Sequence, residues 1–373
     1  MSVIYLDHNR PTPLAPSVLE AMQPYWSTHF MLPGQEHAHA QAISEALEHA
    51  REGVAMLAGC DPFEIVFTGG GTESNNLAIL GILSQSASGH VLVSALEHES
   101  VIAAVDSFAD GPWDIESIPC DSNGVIDVDQ VASLIRENTR LVCVQAASAV
   151  TGTVQSVREI ADVCHSRGVP VHCDATQVFG KIPFDVTQMR ADVMSISGHK
   201  FYGPKGSGAV FVRRGLQIAP MMYGEPREMG LRPGSENIPG CIGLGAAARL
   251  ASKCVDDAQA NLLQLRERFI SGLRCVLDPE PIVVCEVTQS LPNTVAIELP
   301  TEAHVIQKSA RELVFATALS VTPPDEITRA LQAIGKSSAQ IRRTARFSFG
   351  WTTSRDQIDR AVDLIAEAWD SAR

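Results

Sequence analysis

Short, near-continuous apolar runs recur along the first half of the chain, at residues 64–67, 91–94, 141–144, 169–173 and 193–196. Between them lie stretches with helical spacing, at 73–83, 100–108 and 157–166. A strand that is apolar on both faces must be covered on both faces. Strands of that kind separated by helices predict a mainly parallel sheet with crossover helices on either side, an α/β fold. Two more helices are expected before the first run. One covers residues 19–25 and is bent or ended by Pro24; the other is a longer amphipathic helix over 37–57.

The pattern changes near Gly240. Residues 242–276 read as one long helix, with Leu262, Leu265, Phe269, Leu273 and Val276 at helical spacing. Short strands follow at 282–284 and 294–297. The expected organisation is an N-terminal arm over 1–14, a large domain over 15–245 and a smaller α+β domain over 246–373. A chain of 373 residues, 45% hydrophobic and 19% charged, can bury that much core. The net charge of −14 argues against nucleic-acid binding. No apolar run reaches the ~18–20 residues that a membrane span needs. Nine cysteines without paired spacing, and no basic leader ahead of Val3, fit a cytoplasmic setting.

Three places carry chemistry at the ends of expected strands. Thr68-Gly69-Gly70-Gly71-Thr72 joins a strand to a helix. It is either a tight glycine turn or an anion cradle, and its position after a parallel-type strand favours phosphate. Asp174, with Gln177 three residues on, either caps the next helix or grips a protonated ring nitrogen. His98, close to a helix start, is either a satisfied loop histidine or a catalytic group that stacks on a flat ligand or shuttles a proton. The fourth place is Lys200, on the turn Ser197-Gly198-His199-Lys200 between the run 193–196 and a strand over 209–212. It is either an ordinary loop lysine or a nucleophile. Two weaker patterns are set aside. Gly243-Leu244-Gly245-Ala246 lies inside a helix, and His37-Ala38-His39 lacks further metal-ligand spacing, so no metal is expected. Together, a phosphate cradle, an aspartate, a flat-faced histidine and a loop lysine are the parts that hold pyridoxal phosphate.

Seven segments then carry a resemblance across nearly the whole chain: Y-L-D-H-N (5–9), E-I-V-F-T-G-G-G-T-E-S-N-N-L-A-I (64–79), E-H-E-S-V (97–101), H-C-D-A-T-Q-V-F-G-K (172–181), S-G-H-K-F-Y-G-P-K-G (197–206), G-L-R-P-G-S-E-N (230–237) and R-F-S-F-G (346–350). The sequence resembles the cysteine desulfurase branch of the class V aminotransferases, with their fold-type I pyridoxal phosphate architecture. The resemblance implies that Lys200 carries the cofactor and moves the substrate α-proton. It assigns Asp174 to the pyridine nitrogen, Gln177 to the ring hydroxyl and His98 to the ring face. Gly71, Thr72, Ser197 and His199 would hold the phosphate, joined by Ser235 of a neighbouring subunit in a homodimer. Arg346 would clamp the α-carboxylate of a small amino-acid substrate.

Three departures set expectations of their own. Arg10 stands where the family usually has alanine, on a loop brought to the site, where it either faces solvent or adds a second substrate-binding arginine. Ser148-Ala149 replaces an Asn-Asn pair. The family's catalytic cysteine would fall near Val321, and the chain has no cysteine after Cys285. Elimination of a β-substituent is therefore expected in place of persulfide formation. Transamination, decarboxylation and a catalytically quiet dimeric partner are the alternatives.

Overall fold

The computed structural model describes residues 3–318 and 324–372. The position near Val321 therefore lies outside the described residues, as do Leu319, Ser320 and Pro323. The strands in chain order are β1 Ile4–Tyr5, β2 Ile65–Thr68, β3 Gly89–Ser94, β4 Trp113–Ile118, β5 Thr139–Gln145, β6 Val171–Asp174, β7 Val193–Ser197, β8 Gly208–Val212, β9 Ile282–Val283, β10 Thr294–Glu298, β11 Leu313–Val314, β12 Ala316–Thr317 and β13 Thr344–Ser348.

Among these, seven make the main sheet, in the order β2-β8-β7-β6-β5-β3-β4. Strand β8 runs antiparallel to both of its neighbours, and all other pairs are parallel. Strands β2, β3, β6 and β7 are buried along their whole length, and β5 at every position but Arg140, as strands covered on both faces must be. Edge strand β4 has no such run. It reads Trp-Asp-Ile-Glu-Ser-Ile and is only partly buried, which is why sequence periodicity passed over it. The short helix Val128–Leu134 was passed over too. The expected helix over 19–25 divides at Pro24 into Pro16–Met22 and Pro24–Ser27.

The long helix Ile238–Val276 joins two cores. Its first half sends Leu244, Ala247, Ala248 and Ala251 into the core behind the main sheet. Its second half sends Leu262, Leu265, Phe269 and Leu273 into another core, against β10, β13 and the helix Arg355–Asp370. Val276 is 44% exposed, at the end of that stripe. Gly243 and Gly245 serve helix contact. A Cβ on Gly245 would lie 2.4 Å from Ala50 Cα in the helix Ala38–Ala58, and one on Gly243 would lie 2.6 Å from Met22 Sδ.

A second sheet has the order β12-β13-β10-β9. The N-terminal arm crosses to this side of the molecule. β1 pairs with β11, and Asp7 bridges to Ser348 at the end of β13. The arm then passes the lysine turn, where Thr12 N donates to His199 O at 2.8 Å. Among the described residues no helix is long and apolar enough to cross a membrane.

Candidate active site

The sheet order places the carboxyl ends of β2, β3, β5, β6 and β7 along one edge, and the cavity lies there, where open α/β sheets bind ligands. Gly71, Thr72, His98, Asp174, Gln177, Ser197, His199 and Lys200 all line it. Arg10 and Glu326 also reach it.

The cradle comes from β2 leading into the helix Gly71–Leu83. Gly70 has φ of 139°, a region that favours glycine. A Cβ on Gly71 would stand 2.9 Å from Thr176 Cγ2 and 3.5 Å from Ser197 Cβ, so only glycine lets the helix start approach β7 so closely. The first-turn N–H groups of a helix have no acceptor within the helix. Here Gly71 and Thr72, in that first turn, line the cavity together with Ser197 and His199. Ser197 Oγ and His199 Nδ1 are 3.2 Å apart. Burial, with Lys200 and Lys205 nearby, pushes His199 down to about 4, so its ring is neutral at ordinary pH.

Asp174 ends β6 and is buried. Its Oδ2 accepts from Asn75 Nδ2 at 2.9 Å, and its Oδ1 accepts from Thr176 N at 3.0 Å and Thr176 Oγ1 at 2.7 Å. Asn75 Oδ1 in turn faces His172 Nε2 at 3.1 Å. Burial lowers His172 to about 4. A neutral His172, donating through Nε2, thus fixes the Asn75 amide that holds Asp174. Glu97 lies beside them, fully buried. Burial first, and then the charge of Asp174, raise its carboxyl well above the usual range. His98 caps the helix Glu99–Asp106, with its Nδ1 accepting from Ser100 N at 3.1 Å. That places the ring proton on Nε2 at the cavity.

Lys200 closes the turn after β7. Its Nζ donates to the backbone oxygen of Asn9 at 2.7 Å. Burial lowers its pKa; Arg346 also lowers it, while Glu326, Asp174 and Asp7 act in the opposite sense. Gln177 Nε2 donates to the same Asn9 oxygen at 3.1 Å.

Arg346 is buried and does not line the cavity directly. Its Nη2 meets Asp7 Oδ1 at 2.5 Å, and its Nη1 donates to Ala149 O at 3.3 Å. Asn9 Nδ2 donates to that same carbonyl at 2.9 Å. A backbone oxygen, approached by Asn9 and Arg346, therefore occupies the place expected of the missing asparagine pair. Arg10 sits on the rim, 52% exposed, with Nε 3.8 Å from Asp7 Oδ2. Ser235 is exposed and outside the cavity, beside Arg232, whose Nη1 donates to its backbone oxygen at 3.4 Å.

Sequence reasoning missed Asn9, Asn75, His172, Glu97, Lys181 and Glu326. The first five lie inside the segments that carried the resemblance, and that position was their one signal. All nine cysteines are described, and none lines the cavity. Cys173, next to Asp174, turns away into the core and is pushed well above the usual thiol range, by burial first.

These residues fit pyridoxal phosphate. Gly71 of the cradle leaves no room for a side chain against Thr176, the carboxylate is held at the sheet edge, and the lysine amine is largely buried. The aminotransferase class-V family model matches residues 4–361. A cysteine desulfurase of Nostoc is 35% identical over 372 residues, covering 98% of this chain and 93% of that protein. Among solved structures, a NifS-like protein superposes with a TM-score of 0.93 at 28% identity, covering 100% of both chains. SspA in complex with cysteine superposes with a TM-score of 0.82 at 32% identity, covering 92% of this chain and 98% of that one. A match of that extent, on a fold and cavity already suited to the cofactor, makes this chain a pyridoxal-phosphate-dependent enzyme of the aminotransferase class-V family, among the cysteine desulfurases and their relatives.

Proposed function

We propose that this enzyme removes a β-substituent from a small amino acid, cysteine among them. With water, cysteine would give pyruvate, ammonia and sulfide. The observation that carries this reading is a cavity holding the Lys200 amine and no cysteine thiol, in a chain with no cysteine after Cys285. A thiolate must accept sulfur if persulfide is to form.

When bound, the cofactor supplies an electron sink for the substrate carbanion. The chain's own residues do the rest. Lys200 Nζ carries the cofactor and, once freed, takes the proton from the substrate α-carbon. Its depressed pKa favours the unprotonated amine that both tasks need. Asp174, held by Asn75 and Thr176, stays oriented toward the ring nitrogen and keeps it protonated. Gln177 would hold the cofactor's ring hydroxyl, and His98 its ring face. Gly71, Thr72, Ser197 and His199 hold the phosphate, with Ser235 of a second copy completing it in a homodimer. Arg346, behind Asn9 and Ala149 of the cavity wall, would take the substrate α-carboxylate by turning into the cavity and exchanging part of its contact with Asp7. The unpaired cysteines suit a reducing compartment such as the cytoplasm.

Arg10 on the rim favours a second reading, in which an acidic amino acid is transaminated or decarboxylated. Turnover with a panel of amino acids separates these. Elimination releases pyruvate from cysteine or another β-substituted substrate without an acceptor. A requirement for a keto-acid acceptor would refute it, and so would carbon dioxide release or no turnover at all.

A further inference from the structure

Apart from its histidines, the cavity is lined by four ionisable side chains, Arg10, Asp174, Lys200 and Glu326. Asp174 and Lys200 serve the cofactor. Arg10 and Glu326 are left, and neither is spent on the fold. Arg10 Nε lies 3.8 Å from Asp7 Oδ2, and Asp7 is already committed to Arg346. Glu326 begins the helix Glu326–Ala333 but does not cap it. The cap is Asp325, whose Oδ1 accepts from Thr328 N at 2.8 Å. Arg329 on the same helix pairs with Glu99 at 2.6 Å, beside His98 of the cavity wall, and this fixes the helix start against the cavity. Among the described residues no cation lies within ion-pair distance of the Glu326 carboxylate, Arg10 included. Its charge nevertheless reaches the reacting amine. Burial lowers the pKa of Lys200, and Glu326 leads the groups that act in the opposite sense.

A cation and an anion that share one cavity without meeting complement a ligand end that carries both charges. A ligand with one charge leaves the other residue unanswered, and an uncharged one leaves both, at a cost in desolvation. On the elimination reading, the substrate's amine joins the cofactor and its α-carboxylate goes to Arg346. The β-substituent is then the part that meets Arg10 and Glu326.

We propose that Arg10 and Glu326 select a substrate whose β-substituent is itself zwitterionic, as in two amino acids joined through one sulfur: Arg10 takes the distal carboxylate and Glu326 the distal ammonium. This rests on the elimination reading. The α-proton passes to Lys200 Nζ, the Cβ–S bond breaks, and its electron pair stays on the sulfur, which leaves as the thiolate of the distal amino acid. The three-carbon remainder takes up water and yields pyruvate and ammonia, with no oxidant or reductant. The test measures pyruvate release by the holoenzyme from four thioethers that share the same Cβ–S bond. These are S-methylcysteine, S-carboxymethylcysteine, S-(2-aminoethyl)cysteine and lanthionine, whose distal ends are uncharged, anionic, cationic and zwitterionic. The expected kcat/KM for lanthionine is about tenfold or more above that for S-methylcysteine. Relative to S-methylcysteine, Glu326→Gln should lower lanthionine and the aminoethyl compound about tenfold, and Arg10→Ala should lower lanthionine and the carboxymethyl compound likewise. The comparison in the unaltered protein stands even if a variant fails to fold. Lanthionine no better than S-methylcysteine, or a loss spread equally over all four substrates in both variants, would overturn the proposal while pyruvate release upheld elimination. No pyruvate from these four or from cysteine would bring down the elimination reading as well.

Discussion

Arg10 and Arg346 share one carboxylate, Asp7, and share it unequally. Arg346 is buried and holds Oδ1, whereas Arg10 is half in solvent at 3.8 Å from Oδ2. An exposed ion pair of that length contributes ~0–1 kcal/mol, so Arg10 can leave it at little cost to meet a second anionic group on a substrate. A charge-assisted hydrogen bond to that group contributes about 1.5–3 kcal/mol. Arg10→Ala should therefore lower kcat/KM for acidic amino acids about tenfold or more relative to cysteine, with cysteine itself little changed. Steady-state kinetics on both substrates checks this, and an unaltered ratio would show that Arg10 only faces solvent. The sequence pointed to Lys200, Asp174 and His98 because each follows an apolar run, and strand ends converge. It could not point to Asn9 or Asn75 in the same way. Their partners are 191 and 99 residues away, and no local pattern reports such a hydrogen bond.

The segment 222–236 exposes large apolar side chains on a backbone that is held in place. Tyr223 is 93% exposed and Met229 is 52% exposed. Met229 and Glu228 both have positive φ, a conformation that side chains resist. What holds them there is Glu228, whose carboxylate takes Arg51 in a bidentate pair at 2.8 Å and accepts from Phe67 N at 2.7 Å. A fixed loop that exposes large apolar side chains marks an interaction surface, and Ser235 lies on the same segment. We propose that the homodimer uses this face. Light scattering should give twice the chain mass. Tyr223→Asp combined with Met229→Asp should give the chain mass and a weaker hold on the cofactor. A monomeric unaltered protein that binds cofactor fully would contradict the dimer. Edge strand β4 and the glycine contact between the long helix and Ala50 were illegible for related reasons. The first is half polar, and the second depends on which helix arrives opposite Gly245.

Taken together, the fold was legible because hydrophobic periodicity fixes which segments are strands and which faces are covered. Strand order, the antiparallel strand β8 of the main sheet and the return of the arm to β11 and β13 are long-range choices that composition does not record. The chemistry divides in the same way. A lysine turn, an aspartate at a strand end and a glycine cradle announce the cofactor, while the fate of sulfur depends on a thiol that the chain does not place at the cavity. Incubation with labelled cysteine, followed by analysis of the carbon product and the intact-chain mass, tests this directly. The account predicts pyruvate, free sulfide and an unchanged chain mass. Alanine in stoichiometric amount, together with a persulfide on any of the nine cysteines, would contradict it.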